Sequence, residues 1–250
     1  MASVLLDERP GFRRRIVVRP APDWVRAQLE DDYHCLQVTI RHANGVAVAI
    51  EPLWARWPWS TCPGAVGELV KTFTGVALAD FARRGEKSSN CTHHYDLAVL
   101  AAAHAHDNRP LIYDILVADP VDDGRHEAEL RQNGSTVMHW ALEGARIVEP
   151  EDIAGTDLFN MNLLIATLDD ERKEAARLLR WGTMMAHGRA MTRGALSDST
   201  RMPLGRCYTF QPHRIADARH VGEIRDFSKG SVRPLDDPAL FEHTHSQDAA

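Results

Sequence analysis

The sequence predicts an α+β fold: a mainly antiparallel sheet made of hairpins, packed on a buried central helix, with a helical C-terminal part. Three observations predict it. Asn44-Gly45 and Asn133-Gly134 each separate two β-rich runs, and Asn-Gly tolerates the positive φ that a tight hairpin turn requires. The run LAVLAAAHAH from Leu97 is apolar on most faces, as a helix buried against a sheet must be. A regular βαβ alternation is missing, and neither GxGxxG nor GxxxxGK[ST] occurs, which argues against dinucleotide and P-loop sites.

The elements follow in order. RRRIVVR (13–19) reads as a strand rich in β-branched residues. HCLQVTIRH and VAVAIEPLWARW pair across Asn44-Gly45, giving a hairpin over roughly 34–54. PWSTCPG (58–64) ends it. Pro63 suits the first turn of a helix that Ser60 or Thr61 caps, and AVGELVKTFTG is then helical up to Gly75. LADFARRG is a second short helix, stopped by Gly85. Thr92 caps the central helix, which runs to about Asp107. LIYDILVAD (111–119) is a strand, and the residues around Asn133-Gly134 form a second hairpin. DLFNMNLLIATL is one helix. The next starts acidic at Asp169-Asp170 and turns basic later, as the macrodipole favours. Residues 197–227 have no pattern, and 229–250, with Pro234 and Pro238, read as a loosely ordered tail. The expected organisation is one α+β domain over 1–228 and a tail over 229–250.

Composition narrows the function classes. At 44% apolar residues, 250 residues can bury a sizeable core. The net charge is -6, and the one dense basic patch, Arg13-Arg14-Arg15, reads as a solvated strand start, so nucleic acid is not expected as a partner. No run of 18 apolar residues suggests a membrane span, and the N-terminus lacks the basic start and apolar core of a signal peptide. Cys35, Cys62, Cys91 and Cys207 are spread out without a CxxC pair, so the expected compartment is a reducing cytoplasm.

Four polar clusters are candidates for chemistry. In NCTHHYDL (90–97), His93 falls on one helix face with Asp96, Leu97 and His104, while His94 points about 100° away. The partial positive charge of a helix start favours neutral imidazole and depresses a thiol such as that of Cys91. In DDYHC (31–35), strand alternation puts Asp32 with His34, and Asp31 with Tyr33 and Cys35. A carboxylate beside His34 would orient its ring. In the third cluster Trp57 and Trp59 could stack on a planar ligand, with Cys62 at a helix start. The fourth places Arg201 and Tyr208 in an unpatterned segment, where binding groups often lie. Each cluster also has an ordinary structural reading: a helix cap, a polar strand start, core tryptophans and surface ion pairs. For a metal, Cys91, His93, His94 and His34 would have to meet through tertiary contact, since no local ligand motif exists.

PGFRRRI, DDYHC…VTIRH, PWSTCPGA, NCTHHYDLA, YDILVADP and CYTFQP, taken in order over about residues 10–227, resemble the bacterial family of unknown function catalogued as DUF2889. Relatives of that kind are similar to the sphingomonad γ-formaldehyde lyases of lignin-derived aromatic dimer catabolism. The resemblance implies a lyase that removes formaldehyde from a phenylcoumaran-type dimer by acid/base chemistry, without a redox cofactor. Its substrate is a small aromatic molecule, and a homodimer is left open. His94 stands where many relatives carry a bulky apolar residue, which favours His93 as the base. Asp32 or His34 would then be its partner, Arg201 or Tyr208 the anion stabiliser, and Tyr33, Trp57, Trp59, Cys62 and His94 the lining of the aromatic slot. The alternatives are a metal-dependent enzyme with His and Cys ligands and a non-catalytic module that binds an aromatic ligand.

Overall fold

The structure is a computed structural model, and it describes residues 6–190 and 198–241. It is α+β. Eight strands form an antiparallel sheet in the order β4-β3-β2-β1-β5-β6-β7-β8: β1 Gly11–Pro20, β2 Trp24–Asp31, β3 Cys35–Ala43, β4 Val46–Arg56, β5 Leu111–Ala118, β6 Arg125–Gln132, β7 Ser135–Glu143 and β8 Arg146–Glu149. The α-helices among the described residues are α1 Val66–Phe73, α2 Thr92–Ala103, α3 Asn162–Thr167 and α4 Asp170–Ala186. The chain divides into two compact units. One holds residues 1–15, 112–191 and 226–234; the other holds 16–111, 192–225 and 235–250.

In the second unit the first expected turn of the sheet can be judged by register. Asn44 (φ 52°) and Gly45 (φ 75°) join β3 to β4 with Ala43 opposite Val46, the paired positive φ values of a type I′ turn. Strand β2 was not read as a strand in its own right. Its inward residues Val25, Ala27 and Leu29 are fully buried. Its polar face is laddered to β3: Arg26 donates to Thr39 at 3.0 Å and Gln28 to Gln37 at 2.9 Å. The turn between β2 and β3 covers residues 32–34 and is closed by the Asp31 N–H donating to the His34 carbonyl at 2.9 Å.

Helix α2 packs on β2 and β3, and Leu97, Ala98 and Ala101 on it are fully buried. Its N-cap is Cys91, one residue before the expected Thr92, and the cap makes no side-chain hydrogen bond. Helix α1 packs on β4. The stretch expected as a second helix is a 3₁₀ helix over Leu78–Arg83, with Phe81 stacked on Phe73 at 4.2 Å.

The first unit is a hairpin meander with α4 packed on β6 and β7. Asn133 and Gly134 make the second Asn-Gly turn, with φ of 49° and 85°. The helix expected over residues 157–168 is a 3₁₀ turn followed by α3. The arginine run is not solvated. Arg13 donates to the carbonyls of Leu6 (2.7 Å) and Arg9 (2.6 Å), Arg14 lies 4.4 Å from the Trp181 ring, and Arg15 bonds Asp114 at 2.7 and 3.2 Å. Three cations with a built partner each are structural, which corrects the reading of an exposed strand start.

The expected tail also departs from its reading over 229–241. The Leu235 N–H donates to the buried carboxylate of Glu30 at 2.7 Å, across 205 residues of sequence. The remainder of the tail, from 242, lies outside the described residues. No helix among the described residues is long and apolar enough to cross a membrane.

Candidate functional site

The two histidine clusters meet. Strand β2 ends at Asp31, the chain turns, and β3 starts at Cys35, so the parity of the two strands is reset between them. Asp31, buried completely, accepts on Oδ1 from the backbone N–H groups of Tyr33 (2.8 Å) and His34 (2.7 Å). This is the Asx-type turn that aspartate favours. The same oxygen lies 3.1 Å from His34 Nδ1. A carboxylate oxygen can only accept, so the network assigns the proton of neutral His34 to Nδ1 and leaves Nε2 with its lone pair.

The His34 ring then stacks on His93, at the start of α2, with centroids 3.9 Å apart and planes 26° apart. Tyr33 meets His34 edge-on at 6.3 Å. His34 is buried and His93 half-buried. The orienting carboxylate is therefore Asp31 and not Asp32. Alternation carried across the turn placed Asp31 on the wrong face. The Asp-Asp pair between two alternating runs was the available sign of a turn. Asp32 is buried beside it, with its carbonyl held by Arg56 Nη1 (2.9 Å) and the Arg225 N–H (2.8 Å).

Arg56, at the end of β4, organises this turn. Its guanidinium donates to the carbonyls of Asp31 (2.6 Å), Asp32 (2.9 Å) and His34 (3.4 Å) and pairs with Glu30 at 3.1 Å. Sequence reasoning missed it. A lone arginine in a strand gives no local sign that it will meet a turn 24 residues earlier.

His94 has a different role from the one expected. It is fully buried, with Nε2 3.1 Å from the Gln37 carbonyl and 3.2 Å from the Leu53 carbonyl, and it meets Trp54 edge-on at 4.5 Å. It clamps α2 to β3 and β4. Burial pushes its pKa down to about 4, against the partial support of the two carbonyls. The unfolded ring titrates near 6.5. The neutral form is thus the folded form, and its stabilisation is complete above pH 6.5 and lost as pH falls from 6.5 to 4. The loss is about 3 kcal/mol at roughly 1.4 kcal/mol per unit. Urea titrations at stepped pH check this, and His94→Gln flattens the curve in that window.

The remaining candidates fall as follows. Trp57 lines a cavity of about 360 Å³ together with Glu30, Cys35, Arg56 and Arg225. Trp59 is core, edge-on to Phe210 at 5.6 Å and to His220 at 5.5 Å. Cys62 is buried, 3.5 Å from the Thr209 hydroxyl, and burial pushes its thiol up to about 11. Burial also raises the Cys91 thiol, so at both helix starts desolvation outweighs the dipole. Neither is an activated thiol. Arg201 is exposed and 3.6 Å from Asp198. The Tyr208 N–H donates to the Asn90 carbonyl beside α2 at 2.8 Å, while the Tyr208 ring lies under the Arg214 guanidinium at 3.9 Å.

Asp31, His34 and His93 also have the composition of a metal triad, with one ligand atom from each within 4.8 Å of the others. The geometry is poor for it. Two imidazoles must aim their in-plane lone pairs at one point about 2 Å away. Rings stacked 26° from parallel send those lone pairs side by side, and Asp31 Oδ1 already has three N–H groups around it. No family model matches the chain, and no curated protein matches it.

Proposed function

We propose that the protein is a lyase that releases formaldehyde from a lignin-derived aromatic dimer of the phenylcoumaran type, with His34 as the general base. The observation that carries the proton chemistry is the Asp31–His34 pair, 3.1 Å apart, stacked on His93. The substrate class comes from the resemblance set out above.

Such a substrate carries a phenol para to the side chain. Its phenolate electrons break the Cα–O bond of the coumaran ring and give a quinone methide and an aryl oxide. The γ-hydroxyl then loses its proton, its C–O becomes the C=O of formaldehyde, and the Cβ–Cγ bond breaks. That electron pair forms Cα=Cβ and restores the phenolate, and protons return to the two aryl oxygens. The sum is a stilbene plus formaldehyde, with no change of oxidation state overall.

His34 supports the deprotonation. Asp31 fixes the Nδ1–H tautomer and stabilises the imidazolium that forms, while Nε2 takes the proton. His93 covers one face of the ring and keeps water from it. This moves the base from His93, the first choice by sequence, to the ring that the carboxylate holds.

The test is incubation of the purified protein, with and without chelator, with a phenylcoumaran dimer. Formaldehyde and stilbene absorbance should appear at equal molar yields in both. Absence of both products sinks the proposal, and activity that chelator abolishes would return the triad to metal chemistry.

A further inference from the structure

The chemistry above leaves the cavity beside the turn unused. Its volume of about 360 Å³ is within the range, roughly 300–1,000 Å³, of small-molecule sites. Its wall is built from buried charge. Glu30 is 2% exposed and Arg56 is 8% exposed. The acceptors on this wall are in use: Glu30 takes Arg56 Nη2 (3.1 Å), Arg225 Nη1 (3.2 Å) and the Leu235 N–H (2.7 Å). The donors are not all in use. Arg56 Nε is buried and has no hydrogen-bond partner among the described residues. Arg225 is part-exposed, and its Nε lies 3.8 Å from Glu223, beyond a hydrogen bond.

Two guanidinium groups and two carboxylates line the cavity; Glu30 is saturated by its three donors, and Glu223 is 73% exposed. Trp57 adds a flat apolar wall. Gly222, also on the lining, packs directly on the Trp57 backbone, where a Cβ would lie 2.3 Å from the carbonyl oxygen. The leftover buried donor of Arg56, the part-exposed guanidinium of Arg225 and the indole of Trp57 on one lining suit a planar ligand that carries an anionic oxygen.

We propose that this cavity binds an aromatic carboxylate, with its ring against Trp57 and its oxygens on Arg56 and Arg225. Arg56 links it to the turn, because the same guanidinium holds the carbonyls of Asp31 and His34. The binding stands on these contacts alone. Taking such a ring as part of the substrate rests on the lyase reading.

The test is a fluorescence titration of the full chain with 4-hydroxybenzoate, with phenol and cyclohexanecarboxylate as the two single-feature arms. Saturable quenching with Kd below ~1 mM is expected. Each arm, and Arg225→Gln, should weaken binding at least about tenfold, the scale of one lost charged contact. Arg225→Lys should recover part of the loss, and Trp57→Phe should remove most of the quench while keeping binding by calorimetry. His34→Gln should leave Kd unchanged, which separates this site from the proton chemistry. No saturable binding, equal affinity for phenol, or an unaltered Kd in Arg225→Gln overturns the proposal. Binding without formaldehyde release keeps the cavity and removes the lyase. Release without binding does the reverse.

Discussion

Under the proposed lyase chemistry, replacing His34 with glutamine should lower formaldehyde release by about 10²–10⁴-fold, the usual contribution of a positioned general base. Glutamine keeps much of the volume and can still donate to Asp31, so far-ultraviolet circular dichroism and the thermal midpoint should stay close to those of the parent. Asp31→Asn should follow with a loss of roughly 10²-fold or more, because a neutral amide neither fixes the tautomer nor stabilises imidazolium. His93→Gln should cost less, since that ring covers the base and does not carry the proton. The measurement is initial rate against pH for all three variants. A His34→Gln enzyme within about threefold of the parent assigns the base elsewhere. The reverse ranking, with His93→Gln the most impaired, returns the role to His93.

Arg56→Leu is the change expected to cost most stability, about 3–5 kcal/mol, the scale for leaving one member of a buried ion pair alone. Glu30 would keep only its contacts from Arg225 and Leu235, and the carbonyls of Asp31, Asp32 and His34 would lose their shared donor. Chemical denaturation reads it directly, and the thermal midpoint should fall by roughly 10 °C in a chain of this length. The double variant Glu30→Leu/Arg56→Leu should recover part of the loss, because it removes the stranded carboxylate. If the single variant loses less than about 1 kcal/mol, the turn is held by its own Asx bonds and not by the guanidinium.

What could be read from sequence was whatever local chemistry decides. Asn44-Gly45 and Asn133-Gly134 specify their turns by backbone conformation, and both hairpins are where those dipeptides put them. The apolar α2 run announced its own burial. Strand β2 hid because Arg26, Gln28 and Glu30 look solvated, whereas their partners Thr39, Gln37 and Arg56 come from other strands. The site divides in the same way. His34 and His93 stood out by type and position. Asp31 did not, because a period-2 rule holds within a strand and fails across the turn that defines the site. His94 looked like a ligand because nothing local shows that the carbonyls of Gln37 and Leu53 will meet it.

The turn at 31–34 has a consequence for how the protein is made. Its clamps include the Arg225 N–H and side chain, and the Leu235 N–H secures Glu30 next to it. A ribosome delivers those groups only after the last strand, which ends at Glu149, has been synthesised. The early hairpin and the Asx bonds of Asp31 can close while the chain is still growing, yet the Asp32 carbonyl and the Glu30 carboxylate gain these donors only once residues 225 and 235 have been made. A product stopped near residue 220 would therefore keep its strands and lack these clamps.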